Sequence, residues 1–534
     1  MHASGEEVVL VARGKTDQDD GSQLETSAAG LSAENLVLNL KGGELAATAG
    51  SESVLLARLK YAFASTDMGP PPPTPLHRVF GKLAVCTLAG LSRDVPRQIF
   101  FSLLHTLCSR LDGEESTQLL RTSSLGNVQV LLLLGLNSEL QAVTTSRGGS
   151  LSWLTVGLAV RMAQDIGLHR DITSNHVAQQ QVNRRRRVWA ACVIADRWYA
   201  LSFGQPMTIN LYDCDARGPS IFPDACADGL SETEKPFELH AEITKLSILL
   251  GRVLRYAYSP LGLDMVTNST LYQLQEDFEQ WRSDLPPTLH FSPEQPDPRA
   301  GLLGLLSACV EFVFLRAFLR PKKPIPTRIS YRPSVDAWQH VVKRSEHAIR
   351  WIAAGGSFFM DTWFIVMYSH MWCFFVQLHA YVATGDAQAL GLMQTANDSI
   401  SQWAQRMKSL SNQAALRTKV ASLANTLTVA ALSSHQRRGG QGVAQTTNLP
   451  PEPAPDTHNV SLSSADPNPG PKNQAANIFD EIFPPLNDTL APDMQLLELF
   501  LHDPQLGWAF QPDGMNVEPA IQNFDEIDRF YMLD

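Results

Sequence analysis

The sequence predicts an all-α fold, a multi-helix regulatory-size body preceded by a disordered N-terminal segment and followed by a linker and an acidic C-terminal tail. Three observations carry that expectation. Apolar residues recur at three- and four-residue steps through most of residues 76–435. Prolines and turn residues break that stretch at helix-length intervals, as at Ser259-Pro260, Leu285-Pro286-Pro287 and Pro321. No run alternates apolar and polar residues as a strand would, and no repeat of roughly 20–50 residues is present.

The elements follow in order. Residues 1–75 are dominated by Gly, Ser, Ala, Asp and Glu and end in GPPPPTP, a composition that does not hold a core. The short apolar runs at 8–11 and 54–61 are expected to be transient helices or strands. Asp94 and Pro96 mark a helix start, and Ile99, Phe100, Leu103, Leu104, Leu107 and Leu111 form its apolar face. Residues 125–136, LGNVQVLLLLGL, are a second helix. Two helical segments at 152–171 and 184–206 come next. Further helices are expected at 237–258, 270–284 and 300–319, each stopped by a proline, and at about 334–354, 360–384, 386–411 and 413–434. Residues 436–475, rich in Gly, Gln, Asn, Ser, Pro and Asp, read as a linker, and 476–534 form an acidic, aromatic segment.

Charge and cysteine usage narrow the function. The net charge is -11, and the stretch 476–534 alone holds twelve acidic residues against one basic residue, Arg529. The rest of the chain balances 42 basic against 42 acidic residues. A neutral body has no general field for phosphate, so it is not expected to bind nucleic acid strongly by itself. The seven cysteines are scattered, with no C-x-x-C; the nearest pair is Cys214 and Cys226. Such spacing builds neither a disulfide framework nor a zinc knot, and points to reduced thiols. The most apolar stretch, 363–382, carries Ser369, His370, Gln377 and His379, so it is expected to be a buried helix and not a membrane span. No G-x-S-x-G, P-loop, dinucleotide glycine string or H-E-x-x-H occurs, and the chain is not expected to be an enzyme.

The segments at 152–171 and 184–206 hold the most specific pattern. The first is apolar nearly all round through Trp153, Leu154, Val156, Leu158, Ala159 and Val160, with polarity collected at Arg161, Gln164 and Asp165. Gly157 inside it suggests close approach of a neighbouring helix. Gly167 followed by His169 and Arg170 suits a helix C-terminus. The second opens on Arg184–Arg187, where cations oppose the helix dipole, so some of these side chains are expected to reach carboxylates elsewhere. A nuclear import signal or a phosphate contact is the competing use of the run. Asp196 and Arg197 lie among apolar neighbours and must be paired if buried. The expected pairing joins Arg161 or Arg197 to Asp196 or Asp165 between the two helices. A turn at Gly204–Pro206 then presents Asp213 and Asp215. Asp165 and His169 make half a metal site with no third ligand.

These residues resemble the fungal-specific transcription factor domain, the middle homology region of regulators that bind DNA through a zinc binuclear cluster. The resemblance rests on Trp153, Gly157, Ala159, Arg161, Met162, Ala163, Gly167–Arg170, Arg184–Arg187, Asp196, Arg197, Gly204, Pro206, Asp213, Asp215 and Pro219. SSLGNVQVLLLLGL upstream, and KLSILLGRVLRYAYSPLGL and FEQWRSDLPPTL downstream, are similar to the family's other helices. It covers about residues 80–380, within an expected domain of 76–435, and is most specific at 122–220. Gln205 stands where the family usually has Arg, which removes one charge from that turn. The resemblance implies a nuclear regulator of RNA polymerase II genes that acts as a homodimer or heterodimer. It also implies zinc-dependent DNA binding, but the zinc cluster is not among these residues, so zinc is expected only for that missing module. The chain is expected either to lack upstream sequence that encodes the cluster or to be a clusterless coactivator recruited by a DNA-bound partner.

Aromatic and aliphatic residues alternate with acids in the tail. Phe479, Phe483, Leu497, Phe500, Trp508, Phe510, Phe524 and Phe530 are the expected contacts of an activation segment with a coactivator groove or the transcription machinery. The alternative is a solvated tail docked on the body. A second function class, a small-molecule-sensing helical domain, would place a cavity around Trp153, Trp198 and Trp363.

Overall fold

The computed structural model describes residues 76–92, 95–136, 148–172, 177–222, 235–292, 297–319, 325–406 and 414–444. These residues form an all-α fold, with fifteen α-helices and no strand among them. The activation-segment residues Phe479, Phe483, Leu497, Phe500, Trp508, Phe510, Phe524 and Phe530 lie outside the described residues, as do residues 1–75.

Two cores share one helix. The smaller is built by α1 (Leu76–Ser92), α2 (Arg97–Leu111), α3 (Glu114–Arg121) and α4 (Leu125–Gly135) around Phe80, Leu83, Phe100, Leu104, Leu107 and Leu134. α2 begins after Pro96, whose fixed φ suits the entry to a helix; Asp94 itself lies outside the described residues. α4 is apolar all round because it serves both cores. Val130 and Leu134 face the smaller one, and Val128 and Leu131 the larger. Ser124 caps α4 by accepting the Asn127 N–H at 3.1 Å.

The larger core runs through α5 (Gly148–Asp165), α6 (Gln179–Phe203), α7 (Glu238–Val253), α8 (Gly262–Met265), α9 (Asn268–Ser283) and α10 (Pro298–Leu319). It continues into α11 (Val335–Ala353), α12 (Phe359–Thr362), α13 (Phe364–Thr384), α14 (Ala387–Gln405) and α15 (Ala414–Ala444). α13 is the central pillar, packed by α10, α11 and α14. It is buried along most of its length, Ser369, His370 and Gln377 included, as expected for residues 363–382. α10 is long and apolar enough to cross a membrane, yet 89% of its apolar window is buried inside the fold.

Three boundaries differ from those the sequence suggests, each for a visible reason. The single helix expected at 237–258 ends as α7 at Val253 and widens into a π turn over Leu254–Tyr258. That turn lets the Tyr258 hydroxyl donate to the Val313 carbonyl on α10 at 2.6 Å. The helix expected at 360–384 breaks at Trp363, which is extended, because the Phe364 N–H pairs instead with the Leu136 carbonyl at 3.1 Å. α15 continues past residue 435 to Ala444, into the stretch expected to be linker.

Burial holds the His370 imidazole down at about 4, from an ordinary 6.5. The folded protein keeps it neutral while the unfolded chain takes up a proton below about pH 6.5, so stability falls as pH drops from there toward 4. The full decline is about 3 kcal/mol from this one group. His370→Leu is expected to flatten that part of the urea-midpoint profile; an unchanged slope between pH 6.5 and 4 would place the acid sensitivity elsewhere.

Candidate functional site

The two signature helices meet as a mutual clasp. α5 ends on Gly167, whose φ of +69° permits the left-handed turn. The Leu168 N–H reaches back to the Ala163 carbonyl at 2.8 Å, which closes the helix. α6 ends the same way on Gly204 (φ +61°), with the Gln205 N–H on the Ala200 carbonyl at 3.1 Å. Gly204 turns the chain back over α6 itself, and the loop it starts goes on to the end of α5, where the Asp215 and Ala216 N–H groups meet the His169 carbonyl.

α6 begins at Gln179 and not at Arg184, so the arginine run lies more than one turn inside it, and Arg185 and Arg186 are spent on the contact with the end of α5. Arg185 donates to the Ile166 and Gly167 carbonyls at 2.9 and 3.0 Å, so it caps the negative end of α5. Arg186 forks onto Asp171 with contacts of 2.7–2.9 Å, and Arg217 reaches the same carboxylate at 2.9 Å. Arg184 donates to the Gln129 amide oxygen on α4 at 3.0 Å, and Arg187 lies 4.2 Å over the Phe237 ring. Arg186 thus reaches a carboxylate, as the run was expected to do, while Arg185 reaches backbone carbonyls. The exposed pair of Arg170 and Asp215 closes the outer side, and Asp215 also accepts the Asp171 N–H at 2.8 Å. The Arg170 hydrogen bonds and that N–H hold the Asp215 carboxyl below the usual carboxylate range.

Deeper in, Asp196 and Arg197 are both buried and hydrogen-bonded to each other. The Asp196 carboxylate accepts the N–H groups of Thr208 and Ile209 at 2.8 and 3.2 Å, and Arg197 donates to the Ile209 carbonyl at 2.9 Å. The charged pair thus staples the loop after Gly204 and Pro206 onto α6. Burial lowers the pKa of the Arg197 guanidinium, and the Asp196 charge opposes the shift. Gly251 on α7 makes the room: a Cβ there would sit 2.6 Å from Arg197 Nε. Trp198 donates to Ser247 on α7 at 3.0 Å, and the Tyr199 hydroxyl donates to the Gly135 carbonyl on α4. One face-to-face set of residues therefore ties α4, α5, α6, α7 and the 205–217 loop together.

Several expectations are corrected by this geometry. The Asp196–Arg197 pair forms within α6 and not between the helices. Arg161 and Asp165 are exposed, and Arg161 bonds Gln164 one turn on at 3.0 Å, because the polar seam of α5 faces water. Gly157 meets no neighbouring atom within 4 Å, so it does not mark a close helix approach; Gly135, beside Val156 and Tyr199, and Gly251 do. His169 packs its ring 6.0 Å from Trp189, and Trp153 is half-buried against the core. Trp198 and Trp363 stack edge to face at 6.1 Å, so the space around them is occupied by rings. Among the described residues no group of three His, Cys, Asp or Glu is placed to hold a metal ion. Asp171, Arg217, Ser247 and Gly251 were not legible as partners, since each acts across a long sequence gap from a polar or small position typical of any surface.

Asp171 is held by Arg186 and Arg217, Asp196 by Arg197 and two backbone N–H groups, and Asp215 by Arg170 and the Asp171 N–H, so each carboxylate fixes a local shape.

The sequence profile of the fungal specific transcription factor domain matches residues 62–283. The chain is 26% identical to the acetamidase regulatory protein of Aspergillus oryzae over 239 residues, 44% of this chain and 28% of that protein. It is 24% identical to an uncharacterized transcriptional regulatory protein of Schizosaccharomyces pombe over 160 residues, 30% of this chain and 19% of that one. It is 29% identical to filamentous growth regulator 27 of Candida albicans over 136 residues, 25% of this chain and 16% of that protein. The matched stretches span less than a third of the length of each of these relatives. No solved structure matches the chain.

Proposed function

With residues 62–283 a fungal specific transcription factor domain, we propose that the chain is a transcription regulator of RNA polymerase II genes that acts in the nucleus. The observation that carries this reading is the coincidence of the matched segment with the clasp built by α5, α6 and the 205–217 loop. The regulatory names of the three relatives support it. On this reading Trp153, Gly157, Arg161, Asp165, His169, Arg170, Asp196, Arg197, Gly204 and Pro206 are the shape-defining residues of the domain, and none of them carries out a reaction. DNA is reached through a zinc cluster or through a DNA-bound partner, because the charge-balanced body offers phosphate no net attraction. The chain acts as a homodimer or heterodimer. Residues 476–534 recruit a coactivator through their aromatic and aliphatic side chains, which the twelve surrounding acids keep in solution.

The test is a reporter experiment with the whole chain fused to an unrelated DNA-binding domain. Activation of at least about tenfold over the DNA-binding domain alone is expected (a factor worth about 1.4 kcal/mol). Replacing Phe479, Phe483, Leu497, Phe500, Trp508, Phe510, Phe524 and Phe530 with Ala should abolish it at equal protein level. Full activation by that variant would remove the tail from the account, and no activation by the parent would sink the activator reading.

A further inference from the structure

A cleft of about 450 Å³ opens between α9, the 285–291 segment, α10 and α11. It lies apart from the clasp, and its volume falls in the range of small-molecule sites. Its walls are mainly apolar, from Leu285, Leu289, Leu303 and Ala348. Phe291 and His347 stack with ring centroids 5.4 Å apart at an interplanar angle of 19°, which makes one flat side. Gly304 on α10 lies beside the same rings: a Cβ there would touch Phe291 at 3.9 Å, ordinary van der Waals contact.

The polar end of the cleft holds two arginines and two acids, and some of the arginine donors there are unused. Arg282 from α9 donates to Glu311 at 2.5 Å, and Arg344 from α11 lies 3.2 Å from the other oxygen of the same carboxylate. One anion therefore holds two guanidinium groups side by side. Both Nε atoms are shielded from water and have no hydrogen-bond partner among the described residues. A guanidinium carries five N–H donors, so most of this array is unspent. A second acid, Glu279, is exposed at the rim, and its charge also acts on Arg344, less strongly than that of Glu311. Ser307 adds a hydroxyl oxygen beside this end.

We propose that this cleft binds a small organic carboxylate with a flat aromatic body, the ring beside the Phe291–His347 stack and the carboxylate facing Arg282 and Arg344. A carboxylate supplies an acceptor for the unpartnered Nε groups of Arg282 and Arg344, and a ring fills the apolar part of the cleft lined by Leu285, Leu289, Leu303 and Ala348. The site makes the protein responsive to a metabolite acid, which goes beyond the regulatory reading and does not rest on it.

The experiment is calorimetric titration of the purified full chain with 1-naphthylacetate and with 1-naphthylacetamide, which share shape and differ in charge. The acid is expected to bind at least about tenfold more tightly than the amide, the factor for one charge-assisted contact. In Arg344→Met the acid and amide should converge, since Glu311 keeps Arg282 as its partner. In Gly304→Leu both ligands should be lost. Its Cβ meets only Phe291, at 3.9 Å, and Leu raises helix propensity; a melting curve checks that the variant folds, and Gly304→Ala is the fallback if it does not. Equal affinity for acid and amide in the parent, no saturable binding of the acid, or acid binding unchanged in Gly304→Leu would each overturn the assignment. Because the titration uses the protein alone, its failure leaves the reporter result untouched, and failure of the reporter leaves the cleft untouched.

Discussion

Asp196→Ala is expected to lower the free energy of unfolding by about 3–5 kcal/mol, the range for stripping one partner from a buried ion pair. Arg197 is 2% exposed, and without Asp196 no other carboxylate among its described contacts neutralises it. The Thr208 and Ile209 N–H groups lose their acceptor at the same time. The guanidinium has no easy way out, because Gly251 and α7 close over its Nε. Asp196→Asn keeps the shape and one acceptor oxygen but not the charge, so its loss should be intermediate. The double change Asp196→Leu with Arg197→Met removes both charges together and should recover part of the deficit, as apolar replacement of buried pairs does elsewhere. Urea midpoints at a constant m-value measure all three. A deficit below about 1 kcal/mol for Asp196→Ala would mean that water reaches the pair, since that is the scale of exposed salt bridges.

Why this staple was half legible shows where sequence reading works. Asp196 and Arg197 stand out because Val188, Trp189, Cys192, Val193 and Tyr199 surround them at helical spacing, which forces both into the core. The identity of the partners is a matter of rotamer and loop path. Adjacent residues on a helix normally diverge, so a pairing between helices was the natural expectation. The 205–210 loop, folded back by Gly204, brings two backbone N–H groups that let neighbouring side chains pair within one helix. Gly157 misled in the opposite sense: glycine in an apolar helix suggests contact, but here it faces open space while Gly135 and Gly251 take the close approaches. α1 escaped notice although Phe80, Leu83, Ala84, Leu88 and Leu91 follow a clean helical period, because the proline run before it looks like the end of a disordered stretch. The cleft was not legible at all. It depends on Arg282, Gly304 and Arg344 from three helices, each unremarkable in its own segment.

Asp361→Asn is expected to be the other large loss, about 3 kcal/mol or more, and to act on a different part of the fold. Asp361 sits on the one-turn helix α12 and is fully buried. Its two oxygens accept Arg417 at 2.7 Å and Arg406 at 2.6 Å, which anchors the start of α15 and the end of α14 to one carboxylate. Arg417 is itself buried, donates to the Trp403 carbonyl at 3.0 Å and lies 4.4 Å over the Trp403 ring. An Asn in place of Asp361 removes the charge 2.7 Å from Arg417 in a place water does not reach. Arg406 has a side chain 40% exposed and a second contact on Ser357 at 3.0 Å, so it can turn to solvent. The asymmetry yields a ranking. Asp361→Asn should cost more than Arg406→Met, and the cost should concentrate in α15, which packs on α14 and α13 and has no helix beyond it among the described residues. Hydrogen exchange reads this directly. Amides from about Arg417 to Ala431 should lose protection in Asp361→Asn well before those of α13, because α15 opens as a local unit when the Asp361–Arg417 anchor goes. If α13 and α15 lost protection in step, the carboxylate would instead be holding the whole larger core, and the loss should then equal the global one seen in urea.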